Sequence, residues 1–91
     1  MEAMKNLERL LKGLANKRRL AIIKLLLQEK ELPVAEIADG IGLSFWSTSK
    51  HLNLLANLDV LAKEQRSLQM FYRLSSPPHP IVKLVAALFS N

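Results

Sequence analysis

Apolar residues recur at helical spacing from the start of the chain: Met4, Leu7, Leu11 and Leu14 share a face, with Glu8, Arg9 and Lys12 between them. Residues 2–14 therefore read as an amphipathic first helix, with Gly13 near its end. Asn16 suits the N-cap of a second helix to about residue 28, because a short polar side chain there accepts from the unpaired amides of the first turn. Leu20, Ile22, Ile23, Leu25, Leu26 and Leu27 give that helix a wide apolar face, which places it at the centre of the core. Pro33 keeps Glu31 and Leu32 extended and suits the first position of a third helix, with Val34, Ile37 and Ala38 as its inner stripe. Gly40-Ile41-Gly42-Leu43 ends this helix in a tight turn, since glycine takes a positive φ freely, and Ser44 caps a fourth helix to about residue 58. Two short helices joined by a glycine-containing turn form a helix-turn-helix candidate.

Beyond Asp59 the period changes from helical to two. Residues 60–64 and 68–74 flank Gln65-Arg66-Ser67, and Leu68, Met70, Tyr72 and Leu74 alternate toward one face, so the segment predicts a β-hairpin, or wing. Ser75-Ser76-Pro77-Pro78-His79-Pro80 breaks regular structure. Ser76 can then cap a last helix over residues 78–89, where Ile81, Leu84, Val85 and Leu88 form a narrow stripe. The order is helix, helix, short strand, helix, helix, hairpin, helix. Residues 1–91 thus read as a single domain of α+β class, a winged helix-turn-helix with an N- and a C-terminal helix outside it.

Composition supports the second subunit. Of 91 residues, 49% are hydrophobic, more than one small core readily hides. The expected homodimer interface is Met4, Leu7 and Leu11 of the first helix with Ile81, Leu84, Val85 and Leu88 of the last. A net charge of +5 and an isoelectric point near 9.9 point to a polyanionic partner. The absence of cysteine excludes disulfides and thiolate chemistry. Apolar stretches fall far short of the roughly 20 residues that span a bilayer, and Met1-Glu2-Ala3-Met4-Lys5 lacks the features of a secretory signal, so the expected location is cytoplasmic, with no membrane partner. No glycine-rich phosphate loop or paired acid and histidine motif is present, so neither catalysis nor a cofactor is expected.

On the fourth helix, successive side chains advance by about 100°. Thr48, Leu52 and Leu55 then cluster inward, while Trp46, Ser49, Lys50 and Asn53 cluster opposite. In a helix-turn-helix that outer face enters the major groove. Lys50 suits guanine O6 or N7, Asn53 adenine or a phosphate, and Ser49 either kind of site. The plainer alternative is an ordinary solvated face. Trp46 either touches thymine methyls and sugars or folds back on the wing or third helix, and Phe45 lies at the boundary as partial core. Ser44 and Ser47 sit at a helix N-terminus, which favours a phosphate, although Ser44 is first of all a cap. Thr48 is expected to be buried with its hydroxyl bonded locally, and His51 to be packed and hydrogen-bonded. In the wing, Lys63, Gln65, Arg66 and Arg73 are candidates for a phosphate or the minor groove. Lys17, Arg18 and Arg19 fill a first helical turn whose dipole disfavours them. They either meet phosphate or, for Arg19, tie to a carboxylate while the other two are solvated.

Through Leu11-Lys12-Gly13-Leu14-Ala15-Asn16, Arg19-Leu20, Glu31-Leu32, Ile41-Gly42-Leu43-Ser44, Ser49-Lys50-His51-Leu52-Asn53-Leu54-Leu55 and Phe71-Tyr72-Arg73-Leu74, the sequence resembles the ArsR/SmtB family of repressors. The resemblance implies a homodimeric winged-helix repressor whose N- and C-terminal helices are dimerisation helices that form the interface. Soft-metal sensors of that family carry Cys-Val-Cys where this chain has Pro33-Val34-Ala35. A second family site uses paired histidine and carboxylate ligands on the last helix, where this chain has only His79. Both departures imply that metal sensing is absent. Asp59 and Ser67 stand where relatives often have glycine, which puts the wing turn in question. The resulting expectation is a homodimeric repressor of a roughly palindromic double-stranded DNA operator, its effector left open. The alternative from another class is a winged-helix protein-protein interaction module that uses Trp46 and its neighbours as an apolar patch.

Overall fold

Short polar side chains and one glycine set the helix boundaries. Asn16 Oδ1 accepts from the amides of Arg18 and Arg19 at 2.9 and 3.1 Å, and Ser44 Oγ accepts from Ser47 at 3.1 Å. Gly42, at φ 67°, ends the third helix in the left-handed region. Nothing lies within 4 Å of where its Cβ would stand, so the requirement at this position is conformational rather than steric.

The computed structural model describes residues 2–90. Its elements are α1 (Glu2–Leu14), α2 (Lys17–Glu29), β1 (Glu31–Pro33), α3 (Val34–Ile41), α4 (Phe45–Asn57), β2 (Leu61–Arg66), β3 (Gln69–Leu74) and α5 (Pro80–Phe89). The class is α+β and the order is the one predicted. The strands form one antiparallel sheet in the order β1-β3-β2, with Leu32 and Lys63 both in register with Tyr72. As the hydrophobic pattern predicts, α2 lies at the centre. Its Ile22, Ile23 and Leu26 are buried with Ile37 of α3, Leu52 and Leu55 of α4, and Val82 of α5. From α1 only Leu10 and Leu14 enter this core, while Met4, Leu7 and Leu11 stay exposed. On α5, Ile81 and Val85 pack partly against it, and Leu84 and Leu88 point outward.

Several boundaries differ from expectation. Pro33 is the N-cap of α3 rather than its first residue, because it still has the extended backbone that ends β1. The last helix starts at Pro80 and not at residue 78. A residue before proline avoids the helical region, so the helix waits for the final proline of the run. His79, not Ser76, provides the cap, its Nδ1 accepting from the Ile81 amide at 3.0 Å. The hairpin turn comprises only Ser67 and Leu68, since Arg66 and Gln69 are already paired. Leu68 therefore leaves the inner stripe and stands at the tip, 97% exposed. Ser67 and Asp59 both take the left-handed backbone that glycine commonly supplies, at φ 56° and 60°. Lys30 also has a positive φ, 68°, but with ψ at −57° it lies outside the left-handed helical region, and no local signal marks it.

Three side chains are also reassigned. Phe45 is exposed rather than partial core, since burial along α4 begins only at Thr48. Thr48 Oγ1 is buried without a partner among the described residues, while the nearby Ser44 carbonyl takes the amide of Thr48 at 3.0 Å. Arg19 donates to Gly13 O at 3.0 Å and His51 Nδ1 at 3.2 Å rather than to a carboxylate. The last carbonyls of α1 have no intrahelical donor, and their negative dipole end attracts the guanidinium. No helix among the described residues is long and apolar enough to cross a membrane.

Candidate nucleic-acid interface

Because Thr48, Leu52 and Leu55 are turned into the core, α4 must present the opposite side to solvent. That side carries Trp46, Lys50 and Asn53, all exposed, flanked by the half-buried Ser47 and Ser49. Phe45–Asn57 contains no acidic residue, so no carboxylate of its own opposes an anion on this face. Trp46 is 69% exposed and folds onto neither the wing nor α3. Its partner is Lys50, one helical turn on, whose Nζ stands 4.2 Å from the ring centroid. At the same end of the helix, the Ser44 hydroxyl is engaged as the cap.

Asn53 is held from the wing. Tyr72 OH donates to Asn53 Oδ1 at 3.1 Å. Burial pushes the Tyr72 phenol above its ordinary range, so it remains a donor and fixes which way the amide points. One Oδ1 lone pair and the amide NH2 are left for an outside partner. The pattern of the hairpin places Tyr72 inside, and a buried phenol needs a polar partner, but nothing in the sequence names Asn53 as that partner. Tyr72→Phe is expected to lower stability by roughly 0.5 to 1.5 kcal/mol, the usual net worth of one such hydrogen bond, as measured by urea denaturation. An unchanged midpoint would show that the link contributes nothing.

Strand alternation divides the four wing candidates. Arg66 grips Glu31 with two nitrogens, at 2.7 and 3.0 Å, and Glu64 at 3.0 Å, and lies 4.6 Å from the Phe71 ring centroid. Arg73 approaches the same Glu64 at 3.6 Å. The hydrogen bond from Arg66, then its charge and that of Arg73, hold Glu64 below the usual carboxylate range. In turn, hydrogen bonds to Glu31 and Glu64 raise the already high pKa of Arg66. Lys63 and Gln65 alternate to the other side of the strand, in register with Tyr72 and Met70. Both are exposed. The structure thus brings Trp46, Lys50 and Asn53 together and gives Arg66 and Arg73 acidic partners elsewhere.

On the other flank of α4, His51 accepts from Arg19 at 3.2 Å. Burial first, then the charges of Arg19 and Arg18, lower its pKa, consistent with the neutral ring that an acceptor requires. Arg18 also reaches the Ile41 carbonyl at 3.4 Å, and Lys17 is exposed beside it. Among the described residues no group of three or more histidine, cysteine, aspartate or glutamate side chains could hold a metal ion.

Several solved structures share this architecture. Reduced HlyU from Vibrio cholerae N16961 is 31% identical, with a TM-score of 0.82, and the match covers 99% of this chain and 95% of HlyU. The chain belongs to the ArsR/SmtB family. The homodimeric winged helix-turn-helix DNA-binding domain Mb0332 (fragment 1–100) from Mycobacterium bovis, described as a possible ArsR-family transcriptional regulator, is 29% identical at a TM-score of 0.79, over 98% of this chain and 76% of that one. The transcriptional repressor BigR from Xylella fastidiosa is 28% identical at 0.79, over 98% and 88%. No family model and no curated protein sequence matches the chain. ArsR/SmtB proteins of this kind are transcriptional regulators and not enzymes. Where the resemblance to the family's soft-metal sensors would place two cysteines, this ArsR/SmtB member has Pro33 closing β1 and the exposed Ala35.

Proposed function

We propose that this ArsR/SmtB protein is a cytoplasmic homodimeric repressor that binds a roughly palindromic operator in double-stranded DNA and does not sense metal. The observation that carries the reading is the outer face of α4, where an aromatic ring, a lysine and an oriented amide stand together on a helix without a carboxylate. Trp46, Ser49, Lys50 and Asn53 read base edges in the major groove, with Lys50 donating to guanine O6 or N7. Ser44 and Ser47, with the free amides at the α4 N-terminus, meet a backbone phosphate. Lys63 and Gln65 provide the wing contact, while Arg66 and Arg73 brace the sheet through Glu31 and Glu64. Met4, Leu7 and Leu11 of α1 and Ile81, Leu84, Val85 and Leu88 of α5 form the interface between subunits. Residues 1–91 act as one domain. The homodimeric DNA-binding character of Mb0332 and the repressor role of BigR support this assignment.

The test is fluorescence anisotropy of labelled duplexes over a salt series. Binding should weaken with a log–log slope near −0.9 per phosphate neutralised, because each neutralised phosphate releases a condensed counterion. Exposed Phe45, Trp46 and Leu68 favour one second reading, a protein-interaction surface. That reading would gain if duplex binding were absent. Zinc, cadmium and arsenite should neither bind with sub-micromolar affinity nor release DNA, since the chain has no cysteine and His79 Nδ1 is engaged as a cap. Calorimetric titration checks this, and a tight stoichiometric site would refute it.

A further inference from the structure

A cleft of about 640 Å³ opens between α1 and the C-terminal part of α4, at Leu54 and the C-cap residue Leu58. Small-molecule sites commonly have about 300 to 1,000 Å³, so the size suits an organic ligand. Four cations surround it: Arg9 and Lys12 of α1, Arg19 of α2 and Lys50 of α4. Among the described residues no carboxylate lines it. Arg19 is fixed in place by Gly13 O and His51. Arg9 forms no ion pair among the described residues, and the contact of Lys12 with Glu8 is a solvent-exposed one at 3.6 Å. The floor is apolar, made by Leu54 and Leu58 with Gly13, where a Cβ would overlap a methyl group of Leu58. Cations around an apolar hollow match an anion attached to an apolar body. A phosphodiester backbone, hydrated along its whole length, makes no use of such a floor.

We propose that this cleft binds an amphiphilic organic anion, a carboxylate or phosphate on an apolar body, and that the ligand releases DNA. The second half rests on the function proposed above, because Lys50 and Asn53 line the cleft and also belong to the reading face. A bound anion draws Lys50 Nζ from the Trp46 ring and removes it from the groove.

Octanoate is the probe, with 1-octanol as its uncharged counterpart and inorganic phosphate as an anion without an apolar body. Calorimetry and Trp46 emission are followed on the full chain, then duplex binding is measured with and without octanoate. Octanoate should bind saturably at one site per chain, shift Trp46 emission and weaken duplex binding, while octanol and phosphate should do none of these. Arg9→Gln/Lys12→Gln, at two exposed positions, should weaken octanoate at least about tenfold by removing two charged partners and leave ligand-free duplex binding within about twofold. Equal binding of octanol or phosphate, or octanoate binding unaffected by the double substitution, would overturn the proposal. If the substitutions instead weaken duplex binding and spare octanoate, the cleft rim is part of the DNA backbone contact and the proposal also fails. The octanoate titration uses no DNA, so a protein that binds octanoate but no duplex would refute the DNA reading and the release step, not the anion site.

Discussion

Leu84→Glu should yield a folded monomer whose affinity for a duplex with two half-sites is at least about 100-fold below that of the parent, because linked binding events multiply through effective concentration. Leu84 and Leu88 are 61% and 72% exposed on α5, and α1 leaves Met4, Leu7 and Leu11 uncovered as well. The inward sides of the same helices are already packed in the core, through Leu10, Leu14 and Val82. A second copy is the occupant proposed for the remaining stripes, and a carboxylate placed there would be desolvated without a partner. Because position 84 faces solvent within one chain, the substitution should leave the far-ultraviolet circular dichroism and the core intact. Light scattering after size exclusion gives the oligomeric state, and anisotropy gives the affinity. A variant that stays dimeric at micromolar concentration would show that the interface lies elsewhere.

The second large effect separates base reading from electrostatics. Lys50→Ala should cost about 1 to 3 kcal/mol on the preferred operator and relax the preference at one base position in each half-site. Stability should change little, since the contact of Lys50 over Trp46 is on an exposed surface. Lys63→Ala should weaken preferred and random duplexes alike and reduce the salt slope by roughly one for each phosphate left without its cation, or about two per dimer. Arg66→Ala should leave the salt slope unchanged, because Glu31 and Glu64 already neutralise that guanidinium, and should lower the unfolding midpoint by leaving Glu31 without its cation and Glu64 with Arg73 alone. The readout is anisotropy over a salt series with melting curves for each variant. Retention of the base preference in Lys50→Ala would remove α4 as the reading element, and a shallower slope in Arg66→Ala would return that residue to the DNA surface.

The elements and most of the inward faces are legible in the sequence, because their signals are local. Asn16 and Ser44 cap amides two or three residues away, Gly42 supplies its own left-handed turn, and stripes such as Val34, Ile37 and Ala38 follow from helical period alone. The outward face of α4 follows in the same way from Thr48, Leu52 and Leu55 turning inward. The choices between partners remote in the chain depend instead on how the elements pack. Arg19 had carboxylates available in composition, yet the end of α1 and His51, 32 residues on, lie where its guanidinium reaches. Arg66 reads as a wing cation until the order β1-β3-β2 brings Glu31, 35 residues away, across Phe71 to meet it. The turn ends at Leu68 and not at Ser67, so Leu68 lies beyond the last paired residues Arg66 and Gln69 and stands at the tip, while Met70, Tyr72 and Leu74 keep the inner stripe. Tyr72 finds Asn53, and four cations share an apolar hollow with Gly13 as part of its floor, only because packing brings separate helices and strands together. Periodicity records which way a side chain turns, whereas the identity of its neighbour depends on how the faces dock.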